Sequence, residues 1–468
     1  MERGCDGALD RLGAVNSDNG ALTPLPAVGS PFVAGTRFDL AAVGYTEAEY
    51  AFTGEARAYE RNSAGVTVVD RADFTTRVLI YRPVDDSAFN GTVWVEWLNV
   101  SGGLDAAPDW IFVHRELMRR GAAWVGVSAQ SIGTMGGTSI FGLESPGLVG
   151  TNPSRYGALR HPGDRFSYDI YTQASAAVRG SSGTILDGLT VERVMAIGES
   201  QSAFRLTTYV NDIDPLTAVH DGFLVHARGS GGAALDDSGP PTAAARAAPV
   251  AFRPDLRVPV LCVESETDLM NLGYLGARQD DGDLFTLWEI AGTSHADMYT
   301  LVAGQVDDGH LPIDTLARAW VPVTEVFGMG LDLPVNAGAQ HYVLQAAVSQ
   351  LERWVRGGPR PAAAPRLVVR DGSFVTDGLG NVTGGIRTPH VDIPVATLSG
   401  LGNSGHPISF LVGTTTPFDA ETLRSLYRSK EDYLARFALA TESAVNAGFV
   451  LPDDALEIDA IAEANAPF

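Results

Sequence analysis

Val194-Met195-Ala196-Ile197-Gly198-Glu199-Ser200-Gln201-Ser202-Ala203 reads as a short apolar strand, a tight turn and the opening of a helix. The centre of this stretch follows the pattern Gly-x-Ser-x-Gly, which in a strand–turn–helix setting lifts a serine hydroxyl clear of a sheet. The amide after the serine and the helix N-terminus then face the place where negative charge develops on a substrate oxygen. Small flanking residues let the turn close against its neighbours. Here the second glycine is replaced by Ser202, which keeps the residue small but departs from the pattern. The plainer reading, a serine that only caps a helix, is weighed against what surrounds it.

Working outward, residues 200–211 continue as a helix, and Gly222–His226, 259–263 and 284–290 read as three further short apolar strands. Gln340–Val355 is an amphipathic helix, stopped by Gly357-Gly358 and Pro359. Upstream, 51–60 and 76–82 alternate as a pair of antiparallel strands. Residues 92–98 and 123–128 are strands on either side of a helical stretch at 110–120, and 168–179 is helical again. Strands alternating with helices after an antiparallel start predict a mostly parallel, doubly wound α/β sheet. In such a sheet the site lies beyond the carboxyl ends of the strands.

Two partners for Ser200 stand in that place. Glu264-Ser265-Glu266-Thr267-Asp268 follows the strand 259–263, and Ala291-Gly292-Thr293-Ser294-His295-Ala296-Asp297 follows the strand 284–290. The order Ser…Asp/Glu…His is the one an elbow serine calls for. His295 is then the general base on Ser200, and a carboxylate fixes its tautomer and stabilises imidazolium. Asp268 lies far enough past its strand to reach back to His295; Glu266, with its longer arm, is the rival. Oxyanion donors are expected from the amide of Gln201 and from the backbone around Asn99 and Val100, after the strand 92–98. Trp97 and Trp110, near strand ends, are candidate walls of a substrate pocket, with the core as the competing place for each.

Composition narrows the alternatives. The 468 residues carry 33 Lys+Arg against 56 Asp+Glu, a formal charge of −23, and 45% are apolar. That balance buries a large core, and its sign argues against nucleic-acid partners and against docking on anionic membranes. No apolar run approaches the ~18 residues of a membrane-spanning helix. The single lysine, Lys430, lies in Ser-Lys-Glu-Asp, so a P-loop and kinase-type phosphoryl transfer are excluded. Cys5 and Cys262 are too few for a disulfide framework or a four-ligand zinc site. Gly400-Leu401-Gly402-Asn403-Ser404-Gly405 matches a dinucleotide fingerprint, but a strand-like run follows it where a helix is required. Neither cofactor nor metal is expected. The start, Met1-Glu2-Arg3-Gly4-Cys5-Asp6, shows no basic region followed by an apolar one. The chain as it stands therefore reads as cytoplasmic, and as secreted if a leader has been removed.

Several long motifs resemble a bacterial "alpha/beta hydrolase domain" family. They are Val95-Glu96-Trp97-Leu98-Asn99-Val100-Ser101-Gly102-Gly103, Trp124-Val125-Gly126-Val127-Ser128-Ala129-Gln130, Gly198-Glu199-Ser200-Gln201-Ser202, Glu266-Thr267-Asp268, Leu287 to Asp297, and Gly384-Gly385-Ile386-Arg387-Thr388-Pro389. The likeness runs from about residue 50 to the C-terminus. It implies an α/β-hydrolase fold and a serine hydrolase of the carboxylic-ester type, with Ser200 and His295 carried over directly.

The expected organisation is an extended lead-in over 1–48, a catalytic domain over 49–358 and a C-terminal extension over 359–468. Insertions at 130–165 and 229–256 would act as caps. The expected function is hydrolysis of a small-molecule ester through an acyl-enzyme, without a cofactor. Amidase, lactonase or acyltransferase activity would use the same residues, and a ligand-binding protein on a hydrolase scaffold is the non-catalytic alternative.

Overall fold

In the computed structural model, residues 20–63, 65–180, 186, 188–236 and 248–468 are described. Cys5 and residues 237–247 of the 229–256 insertion lie outside them. Among the described residues, nine strands form one sheet: β1 (Ala21–Pro24), β2 (Tyr45–Asn62), β3 (Gly65–Pro83), β4 (Thr92–Trp97), β5 (Ala123–Val127), β6 (Arg193–Glu199), β7 (Gly222–His226), β8 (Val260–Ser265) and β9 (Phe285–Ile290). Their spatial order is β1-β2-β3-β5-β4-β6-β7-β8-β9. The β1–β2, β2–β3 and β3–β5 pairings are antiparallel, and every pairing from β5 to β9 is parallel.

The parallel strands are buried on both faces, which is why they read as unbroken apolar runs rather than alternating ones. Successive residues of β4 still serve opposite faces. Trp94 joins a core built with α1 (Pro108–Arg119) and α5 (Gln340–Val355), while Val93, Val95 and Trp97 join the core under α2 (Ser167–Arg179) and α3 (Gln201–Thr208). Glu96 lies in this apolar setting because it has donors: the amides of Asp109 and Trp110 at the start of α1, and the indole N–H of Trp124 at 2.8 Å. A carboxylate at a helix N-terminus offsets part of its own burial cost. Burial and the nearby Asp109 nevertheless hold Glu96 far above the usual carboxylate range.

The antiparallel hairpin is longer than its sequence pattern suggests. β2 and β3 span 18 and 19 residues, because their polar outer halves continue a backbone ladder that hydrophobic alternation does not reveal. β2 also begins before residue 48, and β1 pairs with it, so the segment read as a lead-in contributes to the sheet. The fully buried Arg77 of β3 bonds Glu49 of β2 at 3.1 Å and Asp105 at 2.6 Å. It thereby locks the loop after β4 onto the hairpin.

Residues beyond 359 pack on the same cores. Ile386 donates its amide to Glu289 O and accepts from the amide of Ala291, covering the free edge of β9. Leu367, Val382, Val391 and Leu398 join the core of the α2/α3 face, while Tyr433 and Phe437 of α6 (Lys430–Asn446) and Ile458 and Ile461 of α7 (Ala455–Ala464) join the other. Lys430 is an ordinary first-turn residue whose ammonium bonds the carbonyl of Glu463.

Candidate active site

Ser200 follows the last residue of β6 and precedes α3, with φ 58° and ψ −117°. This backbone conformation is costly for a non-glycine residue and is kept only where the surroundings impose it. Its amide bonds His226 O on the neighbouring strand, and α3 leaves on the far side. Gly198 is required for the same turn: a Cβ there would meet Leu206 at 2.9 Å and Ser202 at 3.1 Å. Ser202, fully buried, still fits, which explains why the second glycine is dispensable.

Asp268 is positioned by a local device. Ser265, at the end of β8, caps α4 (Glu266–Met270), and the Asp268 carboxylate returns to the cap residue. Oδ2 of Asp268 accepts from both the amide and the hydroxyl of Ser265 at 2.6 Å. That leaves Oδ1 facing outward, 2.7 Å from His295 Nδ1. Nε2 of the same ring is 2.9 Å from Ser200 Oγ. Ser200, His295 and Asp268 thus form one continuous hydrogen-bonded relay beyond the ends of β6, β8 and β9.

Glu266, the rival acid, points elsewhere. Its two oxygens accept the amides of Gly292 at 2.6 Å and Gly400 at 2.8 Å. Its first-turn position on α4 turns it toward the C-terminal chain rather than toward the imidazole. Burial pushes its pKa up to about 7, although the two amides work against that.

A further carboxylate, which the sequence reading passed over, reaches the histidine. Glu199 Oε1 is 3.1 Å from His295 Nε2, and its Oε2 accepts from the Asn99 side-chain amide at 3.0 Å. Its one signal in the sequence is a charged residue closing an otherwise apolar strand. Burial raises Glu199 to about 7, against the opposing pull of His295 and His226. Burial alone would lower His295, but the charge of Glu199, followed by the hydrogen bond and charge of Asp268, carries it up to about 9.

The expected oxyanion donors need one correction. The Asn99 amide donates to Ala106 O at 2.9 Å in a short bridge, so it is already engaged, and the residue acts through its side chain on Glu199. The Val100 amide donates to the Gln201 side-chain oxygen at 3.3 Å, an acceptor that a side-chain rotation removes, unlike the backbone carbonyl that holds the Asn99 amide. The Gln201 amide belongs to the first turn of α3, where backbone N–H groups have no acceptor inside the helix. Gln201 and, once its side chain turns away, Val100 are the candidate backbone donors.

Both tryptophans proposed as pocket walls are core residues. Trp97 is packed against Tyr168 and Tyr171 and bonds Gln130 through its indole N–H. Trp110 is packed between Tyr81 and Trp124 and bonds Thr36. Each indole finds a polar partner inside the protein, so neither needs a ligand to satisfy it. His226 is also internal, with Nδ1 3.0 Å from Asp109.

The alpha/beta hydrolase domain family model matches residues 18–460. The chain belongs to that family. This alpha/beta hydrolase domain protein is also similar, at low identity, to several solved structures. One is a putative dienelactone hydrolase from Klebsiella pneumoniae subsp. pneumoniae MGH 78578, with 13% identity, TM-score 0.26, and 51% of this chain and 85% of that one covered. A second is a thermostable esterase from Pseudomonas putida ECU1011, with 12% identity, TM-score 0.29 and coverages of 54% and 75%. A third is XC6422 from Xanthomonas campestris, described as an a/b serine hydrolase without lid, with 15% identity, TM-score 0.29 and coverages of 58% and 97%. No curated protein matches the chain. Among the described residues, no helix is long and apolar enough to cross a membrane.

Proposed function

We propose that the protein hydrolyses carboxylic esters through a covalent acyl-enzyme, with Ser200 as nucleophile, His295 as general acid–base and Asp268 as the residue that orients and supports His295. The observation that carries this reading is the relay itself: Oγ at 2.9 Å from Nε2 and Nδ1 at 2.7 Å from Asp268, on a strained turn at the mouth of the sheet. In the first half-reaction Oγ bonds the ester carbonyl carbon while its proton passes to Nε2. The carbonyl oxygen takes up the electron pair against the amides of Gln201 and of Val100, the latter released by the Gln201 side chain. Collapse expels the alkoxide, which receives the proton from Nε2. Water repeats the sequence on the acyl-enzyme and releases the acid.

A net charge of −23 disfavours approach of anionic substrates and favours small neutral esters. In this reading the segments 130–165 and 229–256 serve as the substrate-selecting caps. Amide, lactone and acyl-transfer chemistry share the relay, so substrates of each class belong in the same panel.

The test is reaction with a fluorophosphonate probe and peptide mapping, with Ser200→Ala beside the wild type, followed by turnover of short and medium acyl esters. A single adduct on Ser200 and ester turnover lost in the variant are expected. Folded protein with no adduct and no turnover would overturn the reading in favour of a binding protein.

A further inference from the structure

The imidazole of His295 is bounded by carboxylates at both nitrogens. Asp268 meets Nδ1 at 2.7 Å and Glu199 meets Nε2 at 3.1 Å, on the same nitrogen that serves Ser200 at 2.9 Å. An Asp–His–Ser relay needs only the first of these contacts. The second is built with care: Glu199 is 6% exposed, and the side chain of Asn99 bonds both its carboxylate and its backbone carbonyl. A buried carboxylate held this firmly against one atom is not a solvated bystander.

We propose that Glu199 is a positioning residue, a second carboxylate that holds the His295 imidazolium at Nε2 and makes the ring a stronger base than Asp268 alone would. This rests on the Ser200–His295–Asp268 reading above. The groups facing the pair from the surrounding elements are few. His226, at the end of β7, is held neutral by burial, which lowers it to about 4. Asp109, from α1, is bonded to His226 and pushed far up by its own burial. The carboxylates that touch the ring are therefore Asp268 and Glu199, and negative charge on either favours its charged form.

Two consequences follow for the proton. When Ser200 attacks, the proton arriving on Nε2 is received next to an anion, and the N–H can rest on Glu199 until the leaving alkoxide takes it. At lower pH the same contact works against turnover. An Nε2 already protonated donates to Glu199 and offers Ser200 no lone pair. The base is thus strengthened, and its working range is moved to alkaline pH.

The test is the rate of fluorophosphonate labelling of Ser200 as a function of pH, for wild type and Glu199→Gln, with thermal melting as a folding control. The wild-type rate is expected to climb with pH to a plateau, with its midpoint near the His295 value of about 9. In Glu199→Gln the midpoint is expected to fall by about one pH unit or more, with a lower plateau. A purely structural role for Glu199 would lower the melting temperature and the rate but leave the midpoint in place, and that result overturns the proposal. If Glu199→Gln fails to fold, Glu199→Asp keeps the charge but withdraws it from Nε2. Its midpoint is expected to shift downward as well, and an unmoved midpoint there counts equally against the proposal. Absence of any wild-type adduct on Ser200 would instead remove the nucleophile reading itself.

Discussion

The backbone amide of Gly400 donates to Glu266 Oε2 at 2.8 Å, while the other oxygen of that carboxylate takes the amide of Gly292 at 2.6 Å. One buried side chain thus ties the acid-bearing helix both to the loop that carries His295 and to the C-terminal extension. Glu266 and Asp268 are two residues apart and do different work.

Substitution separates them. Asp268→Asn is expected to lower the Ser200 labelling rate and ester turnover by about 10³–10⁴, since the ring loses its tautomer and its counter-charge. Glu266→Gln keeps the relay and is expected to retain activity within about tenfold, but it leaves one amide facing an NH₂ group. The loss then appears in stability, at about 1–3 kcal/mol by denaturant melting. Equal activity loss in the two variants would contradict this division.

The deficit of Glu266→Gln should also depend on pH. Glu266 is raised to about 7 in the folded protein, above its value near 4.5 in the unfolded chain. Its contribution is therefore fully present below about 4.5 and is lost as pH rises to about 7, by roughly 3 kcal/mol for a shift of this size. The glutamine variant has nothing to ionise. With the deficit of about 1–3 kcal/mol present at low pH, the denaturant midpoints of the two proteins are expected to converge between pH 4.5 and 7 and to meet or cross by the top of that range.

Gly400→Ala probes the same junction from the other side. A Cβ there would lie 2.4 Å from Thr293 O, 2.6 Å from Glu266 Cβ and 2.7 Å from Thr267 N. Two of these are backbone atoms, one in the loop that carries His295 and one in the helix that carries Asp268. Overpacking of this kind typically costs about 1–3 kcal/mol, and the labelling rate is expected to fall with the melting temperature. A variant that loses stability with unchanged labelling would show that the junction holds the fold and not the relay.

Ser202→Ala tests the departure from the elbow pattern. The Ser202 hydroxyl is buried and has no hydrogen-bond partner among the described residues. Removing it is expected to leave labelling unchanged and to be neutral or stabilising by up to about 1 kcal/mol. A marked loss of either property would assign the hydroxyl a role that its surroundings do not suggest.

Much of this architecture was legible in the sequence because its causes are local. The strand, turn and helix around Ser200 follow from an apolar run, small residues and a helix start. The strands before Asp268 and His295 follow from apolar runs of the length a buried parallel sheet requires. What escaped was decided by partners distant in sequence. Nothing near Glu266 announces the amide of Gly400, and nothing near Asn99 announces that its own amide is taken by Ala106. Trp97 and Trp110 stand near strand ends, but whether an indole faces a pocket or the core depends on Tyr168, Tyr171, Tyr81 and Trp124, supplied by other elements. The contact of Glu199 with His295 joins residues 96 positions apart, beyond any local pattern.

The hydrogen bond from Gly400 to Glu266 spans 134 residues, and Leu411 takes the amide of Ala296, next to His295, from still further along the chain. Synthesis delivers residues in order, at about 5–20 per second. Ser200, Asp268 and His295 have all left the ribosome before either clamp exists. The nascent protein therefore holds a complete set of reactive groups whose supporting loops are not yet fastened, and the relay gains its full support only when the last quarter of the polypeptide has arrived.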